Sequence, residues 1–187
     1  MPPATPDHLF ARLKQLGIAT TTVTHAPMFT VADSRGLRGS LPGTHCKCLF
    51  LRDKKGRMWL VATVEDRSVD LKALAPKLGA GRLSFGSPER LMAHLGVAPG
   101  SVTPFAVIND TAGAVTAVVD QALLAAETVN FHPLVNTATT SIRPADLIRF
   151  IEASSRSEAF IFHCLDVMSS SKDTRRFELL NRRVDIR

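Results

Sequence analysis

The sequence predicts a mixed α/β fold of the α+β type, with a largely antiparallel central sheet and helices packed around it. Three observations lead there. Pairs of apolar stretches are separated by short polar turns, the pattern of β-hairpins. Segments with helical apolar spacing and recognisable start and stop residues lie among those stretches. The regular strand-helix alternation of a doubly wound sheet is absent.

Taken in order, Thr5-Pro6-Asp7 supplies an N-cap and a proline at the first helical position, and Leu9, Phe10, Leu13 and Leu16 form a stripe that stops at Gly17. This predicts the first helix. Residues 20–24 are β-branched and form a short strand that runs into His25-Ala26-Pro27. Residues 30–38 predict a helix capped by Thr30, before Gly39, Pro42 and Gly43 break the chain into a loop. Residues 46–51 then read as a buried strand, Asp53-Lys54-Lys55-Gly56 as a hairpin turn and residues 58–64 as the return strand. Alternation puts His45, Lys47, Leu49 and Leu51 on one face and Cys46, Cys48 and Phe50 on the other.

Residues 70–78 place Leu71, Leu74 and Leu78 on one helical face before Gly79, with a kink implied by Pro76. A strand at 83–85 follows, then a helix opened by Ser87-Pro88-Glu89 that ends at Gly96. Residues 102–108 and 115–119, separated by Asn109-Asp110-Thr111, predict a second hairpin. Strands at 128–131 and 139–142 precede a helix over 144–153 with Leu147, Phe150 and Ile151 inward.

A chain of 187 residues with 45% hydrophobic content suits one domain, placed at 1–153. Residues 154–187 read as a C-terminal extension of unknown role. There, serine runs flank an apolar patch at Phe160, Ile161, Phe162 and Leu165, and a basic segment follows, with a helix from Thr174 carrying Phe177, Leu180 and Val184 on one side. No apolar run approaches the roughly 20 residues that span a bilayer, and the first residues lack the pattern of a signal peptide. A soluble cytoplasmic protein without a membrane partner is expected. Three cysteines, an odd number, fit a reducing compartment. A net charge of +6 and a pI near 9.7 favour polyanionic partners. With aromatics at 6% and no tyrosine, no base-stacking platform is visible, so an RNA partner would be gripped by its backbone and one end.

Phosphate loops, Gly-x-Ser-x-Gly elbows, dinucleotide fingerprints and His-Glu-x-x-His motifs are all missing. Cys46 and Cys48 beside His45 lack zinc-site spacing and a second ligand pair, so both read as small buried hydrophobes and no metal or other cofactor is expected. Lys47, flanked by apolar residues, is either a strand lysine reaching solvent or a cation held to meet an anionic or carbonyl group. His132 is either a core histidine or a site residue. Asn130 and Asn136 tilt that choice toward a site, because a polar cluster in apolar sequence needs partners and reads as a pocket wall.

Seven segments in register carry a resemblance: 25–31 (His25-Ala26-Pro27-Met28-Phe29-Thr30-Val31), 42–51 around Lys47, Val69-Asp70-Leu71-Lys72, Leu83-Ser84-Phe85-Gly86-Ser87, 95–104 around Pro99-Gly100, Ile108-Asn109-Asp110, and Asn130-Phe131-His132-Pro133-Leu134-Val135-Asn136. Together they resemble the YbaK-type aminoacyl-tRNA editing domains over about residues 5 to 153, most of all the free-standing alanyl-tRNA(Pro) deacylases. The resemblance implies hydrolysis of the ester between a wrong amino acid and the terminal adenosine of tRNA. It implies that Lys47 contacts the 3′ end, that His132 lines the aminoacyl pocket, that Met28 and Phe29 form apolar pocket walls, and that His25, Asn130 and Asn136 are further substrate-binding candidates. Mischarged tRNA(Pro) is the implied partner, with prolyl-tRNA synthetase or other translation components as further candidates.

So sparse a set suffices for an activated ester, since a positioned water, backbone N–H groups or Lys47, and the vicinal ribose hydroxyl do the work without a protein nucleophile. Arg35, Arg38, Lys54, Lys55 and Arg57 are candidates for acceptor-stem phosphates. His132 is expected to position substrate or water, because no carboxylate in the sequence is placed to orient it as a base. Cysteines at 46 and 48 depart from the family's usual residues beside the lysine, and the extension matches nothing in the family. Two alternatives stand beside the deacylase: a non-catalytic tRNA- or synthetase-binding module of the same fold, and a deacylase for another small amino acid.

Overall fold

The computed structural model describes residues 2–27 and 41–155, together with the backbone of Phe160–Phe162. The helix expected over 30–38, with Arg35 and Arg38, and the helix expected from Thr174 lie outside the described residues. Helix α1 spans Pro6–Gln15; Thr5 Oγ1 accepts from His8 N, and His8 Nδ1 accepts in return from Thr5 N at 3.1 Å. This reciprocal cap fixes the helix start and turns Leu9 and Leu13 inward.

The sheet runs in the order β1 (Thr21–Thr24), β7 (Ala138–Ile142), β6 (Val129–Phe131), β2 (Thr44–Arg52), β3 (Met58–Val64), β5 (Val115–Asp120) and β8 (Phe160–Phe162), with β4 (Ser84–Phe85) also paired to β2. Pairings β1–β7, β6–β7, β2–β3 and β2–β4 are antiparallel, whereas β2–β6, β3–β5 and β5–β8 are parallel. The mixed, mostly antiparallel sheet with surrounding helices is the predicted class. The β2–β3 hairpin forms as expected, and its turn is locked by Asp53, whose Oδ1 accepts from Lys55 N at 2.9 Å and Arg57 N at 3.0 Å.

Both faces of the central strands are covered, which is why β3 is apolar at every position but Thr63. Phe50, Leu60, Ala62, Ala117 and Val119 pack on one side with α1, Phe105 and helix α5 (Pro144–Ser154). Leu51, Trp59, Val61 and Val118 pack on the other against Leu74 and Ala75 of helix α2 (Leu71–Lys77), which retains Pro76 in its last turn. Helix α3 (Pro88–Leu95) starts at the Ser87 cap and ends at Gly96 in the left-handed region, as the sequence indicates.

The second predicted hairpin is overturned. Residues 104–109 form a 3-10 helix (Pro104–Asn109), opened by the side chain of Thr103 and by Pro104, and β5 pairs parallel to β3. Phe105, Ala106 and Val107 are fully buried, and a short continuous apolar run looks the same from sequence whether it is strand or buried helix. A short helix α4 (Gln121–Leu124), capped by Asp120, was not expected. Residues 160–162, read as part of the extension, join the sheet edge beside β5.

Candidate active site

Strand β2 enters the sheet beside β6, with Thr44 opposite Val129 and His45 opposite Asn130. Gly43 makes this possible: its φ is +105°, and a Cβ there would meet Thr128 Oγ1 at 2.3 Å. Asn130 is buried and fully engaged, donating from Nδ2 to the Pro42 carbonyl at 3.1 Å and accepting from Ser141 Oγ at 2.6 Å. It therefore ties the start of β2 to β6 and β7.

Just past the end of β6, His132 Nδ1 donates to the Ala138 carbonyl at 2.9 Å. That bond fixes the tautomer and leaves Nε2 with a lone pair. His25 is built the same way, donating from Nδ1 to the Ala26 carbonyl at 2.7 Å and accepting on Nε2 from Thr139 Oγ1 at 2.9 Å. The two rings lie 6.1 Å apart at an interplanar angle of 52°. Burial pushes the His132 imidazole below its ordinary range, and His25 adds to this, while the Ala138 carbonyl and Glu65 oppose it. His132 is thus neutral near pH 7.

Lys47 is half-buried in β2 and donates from Nζ to the main-chain carbonyl of Arg67. Its cross-strand partner is Thr63, and Glu65 N extends the same ladder by donating to the His45 carbonyl at 3.0 Å. Lys47 stands two residues from His45, so about 7 Å along the strand. Among the described residues no hydrogen bond joins Lys47 to His132; they belong to neighbouring strands at the same end of the sheet. Asn136 is half-exposed in the turn between β6 and β7. Met28 and Phe29 lie outside the described residues.

Four residues escaped the sequence reading. Glu65 is buried at 7% exposure and acts electrostatically on His132, while the ring's Nδ1 is oriented by the Ala138 carbonyl rather than by a carboxylate. Chain folding, with Glu65 one residue past β3, creates the proximity. Thr63, Asp120 and Arg67 form a polar group on the neighbouring strands: Asp120 Oδ2 accepts from Thr63 Oγ1 at 2.6 Å and from Arg67 Nη1 at 3.1 Å. Their signal was available, since Thr63 and Asp120 are polar residues at the ends of apolar strands.

Cys46 and Cys48 pack with the α1 and Phe105 side of the core, as alternation predicts. Burial pushes the Cys46 thiol up to about 12 and raises that of Cys48 as well. They are neutral, small apolar groups. Among the described residues no cluster of three His, Cys, Asp or Glu could hold a metal ion, and no helix is long and apolar enough to cross a membrane. A shallow groove bordered by Leu71, Lys72, Pro76 and Arg82 lies over α2 and contains none of the predicted site residues.

The mixed sheet carries the half-buried Lys47 on β2 and, in the turn that follows the adjoining β6, the neutral imidazole of His132. The chain belongs to the aminoacyl-tRNA editing domain family, whose profile matches residues 25–150. It is 39% identical over 151 residues to prolyl-tRNA synthetase associated domain-containing protein 1 of Danio rerio, covering 80% of this chain and 82% of that protein. It is 36% identical over 147 residues to the prolyl-tRNA editing protein ProX of Acetoanaerobium sticklandii, covering 78% and 90%. The fold matches a crystal structure described as a candidate trans-editing enzyme for prolyl-tRNA synthetase, with a TM-score of 0.66 at 18% identity, over 86% of this chain and 96% of that one.

Proposed function

We propose that the protein is a trans-editing hydrolase that cleaves the ester of mischarged alanyl-tRNA(Pro). The observation that carries the reading is the pairing of Lys47 on β2 with a neutral, tautomerically fixed His132 following β6, in a chain of the editing-domain family. The similarity to a protein named for prolyl-tRNA editing supports tRNA(Pro) as the carrier. In this reading Lys47 and His132 contact the substrate. The ammonium meets the 3′ end and the developing oxyanion, where a fixed charge lowers the barrier most. The Nε2 lone pair of His132 accepts a hydrogen bond from the aminoacyl group or from the attacking water. His25 supports that ring from beside it, Asn130 and Asn136 hold the wall, and Met28 and Phe29 complete the apolar side.

An aminoacyl ester is already activated, so orientation of water against the carbonyl supplies the greater part of the acceleration. A pocket sized for alanine rejects proline by bulk, while serine and glycine are harder to exclude. The basic turn residues Lys54, Lys55 and Arg57 are candidates for acceptor-stem phosphates, and prolyl-tRNA synthetase is a candidate partner. The packing of both thiols into the core favours the enzyme over a binding module, because the cysteines then leave the contacts of Lys47 untouched.

The test is release of amino acid from tRNA(Pro) charged in turn with Ala, Ser, Cys or Pro. Alanine should be released fastest and proline retained, and Lys47→Ala should lower the rate by about 10²-fold or more. Fast release of serine or cysteine in place of alanine would reassign the substrate, and no release from any of the four would favour the binding module.

A further inference from the structure

We propose that Asp120 is the positioning residue for Lys47, acting through Arg67; the inference rests on the editing reading of Lys47. Four residues close a ring. Lys47 and Thr63 are direct cross-strand partners on β2 and β3. Thr63 Oγ1 donates to Asp120 Oδ2 at 2.6 Å from β3 to the end of β5. Arg67 Nη1 donates to the same carboxylate, at 3.1 Å to Oδ2 and 3.4 Å to Oδ1, and the carbonyl of Arg67 takes the Lys47 ammonium. A further bond to Asp120 comes from Ala122 N at 3.0 Å, which also starts α4.

The ring does something that its parts do not. The Asp120 side chain is wholly buried, whereas that of Arg67 is 27% exposed. A buried carboxylate is stable only where donors surround it, so Asp120 holds Arg67 firmly in return for its charge. Arg67 belongs to the turn between β3 and α2, where its N–H donates to the Val64 carbonyl at 3.1 Å but its own carbonyl stands outside any strand ladder. Pinning the Arg67 side chain therefore pins the acceptor for Lys47. A lysine has a flexible four-carbon stem and three donors. With one donor committed to the Arg67 carbonyl, the ammonium is held in place and can turn its other donors toward the substrate.

Asp120→Asn keeps the shape of the side chain and the bond from Ala122 N on Oδ1, turns the bond to Thr63 around so that Nδ2 donates to Thr63 Oγ1, and removes the charge that grips Arg67. In the full-length protein, with alanyl-tRNA(Pro) as substrate, kcat should fall about 10²-fold. KM should stay within about twofold, because in this reading the acceptor-stem phosphates, and not the one ammonium at the 3′ end, carry most of the tRNA affinity. The second readout is the nitrogen-15 ammonium resonance of Lys47, assigned by its loss in Lys47→Ala. It should be resolved in the wild type through slowed exchange with water, and broaden or move in Asp120→Asn. Arg67→Met severs the same link from the other side and serves if Asp120→Asn does not fold; it should reproduce both effects. A folded variant with wild-type kcat, or one whose kcat falls while the Lys47 resonance is unchanged, would overturn the proposal. If the wild type deacylates nothing, the editing reading falls, and the Lys47 resonance still decides whether Asp120 holds the lysine.

Discussion

His132 carries the most information of any single side chain in this structure. Burial holds its imidazole neutral, and the Ala138 carbonyl decides which nitrogen keeps the proton. Protonation would convert Nε2 from acceptor to donor. Deacylation should therefore fall on acidification with a midpoint below the ordinary histidine value of about 6.5, and His132→Gln should remove that limb from the pH-rate profile. The folded state prefers the neutral ring, so the unfolded chain binds the extra proton between the two pKa values. Stability is fully present above the unfolded value and declines as pH falls through that window. Denaturant unfolding at pH 7 and pH 5.5 should show a larger loss for the wild type than for His132→Gln. Cys46 makes the opposite case, a thiol raised to about 12 by burial. Neither it nor Cys48 should be alkylated by iodoacetamide at pH 8 in the native protein, and peptide mass mapping should find both labelled once the chain is unfolded. Lys47 and His132 were legible in the sequence because each is a polar residue interrupting apolar surroundings. Glu65 was not, because its relation to His132 exists only once β3 lies between β2 and β5.

At the scale of elements, local chemistry dictated what it could reach. Caps at Thr5, Asp70 and Ser87 start the helices where the sequence places them, and the Asp53 turn closes the hairpin. Residues 102–108 defeated the same reasoning because burial on every side erases periodicity. Asp110 accepts from Ala114 N and Val115 N, so the turn that looked like a hairpin instead redirects the chain into a parallel strand. The start of β2 depends on Gly43 in the same local way. Gly43→Ala would combine a positive φ with a clash against Thr128, whose carbonyl also receives Thr44 N at 2.9 Å. It should destabilise the protein by about 1–3 kcal/mol, read as a lower denaturant midpoint at unchanged slope.

For the whole molecule, Phe105 is the centre on which the layers meet. Its ring packs edge-on to Phe150 of α5 at 5.4 Å and to Phe131 of β6 at 6.3 Å. Phe105→Ala should destabilise the protein by about 3–5 kcal/mol, measured by equilibrium unfolding, with the effect spread over both the helical layer and the strand before His132. The fold class was readable because hairpins and capped helices are local. Strand order was not, since parallel neighbours such as β3 and β5 share no turn. That order has a last consequence at β2. One ladder of β1, β7 and β6 leads to the imidazoles, another of β2, β3 and β5 carries the ammonium, and among the described residues the two share a paired register of Thr44 against Val129 and His45 against Asn130. Each ladder is stiff along its own hydrogen bonds, yet the seam between them is two residues wide. The span from ammonium to imidazole is therefore governed at the seam by Gly43 and Asn130, and under the proposed editing function a change there would retune the site to a different acyl group without altering Lys47 or His132.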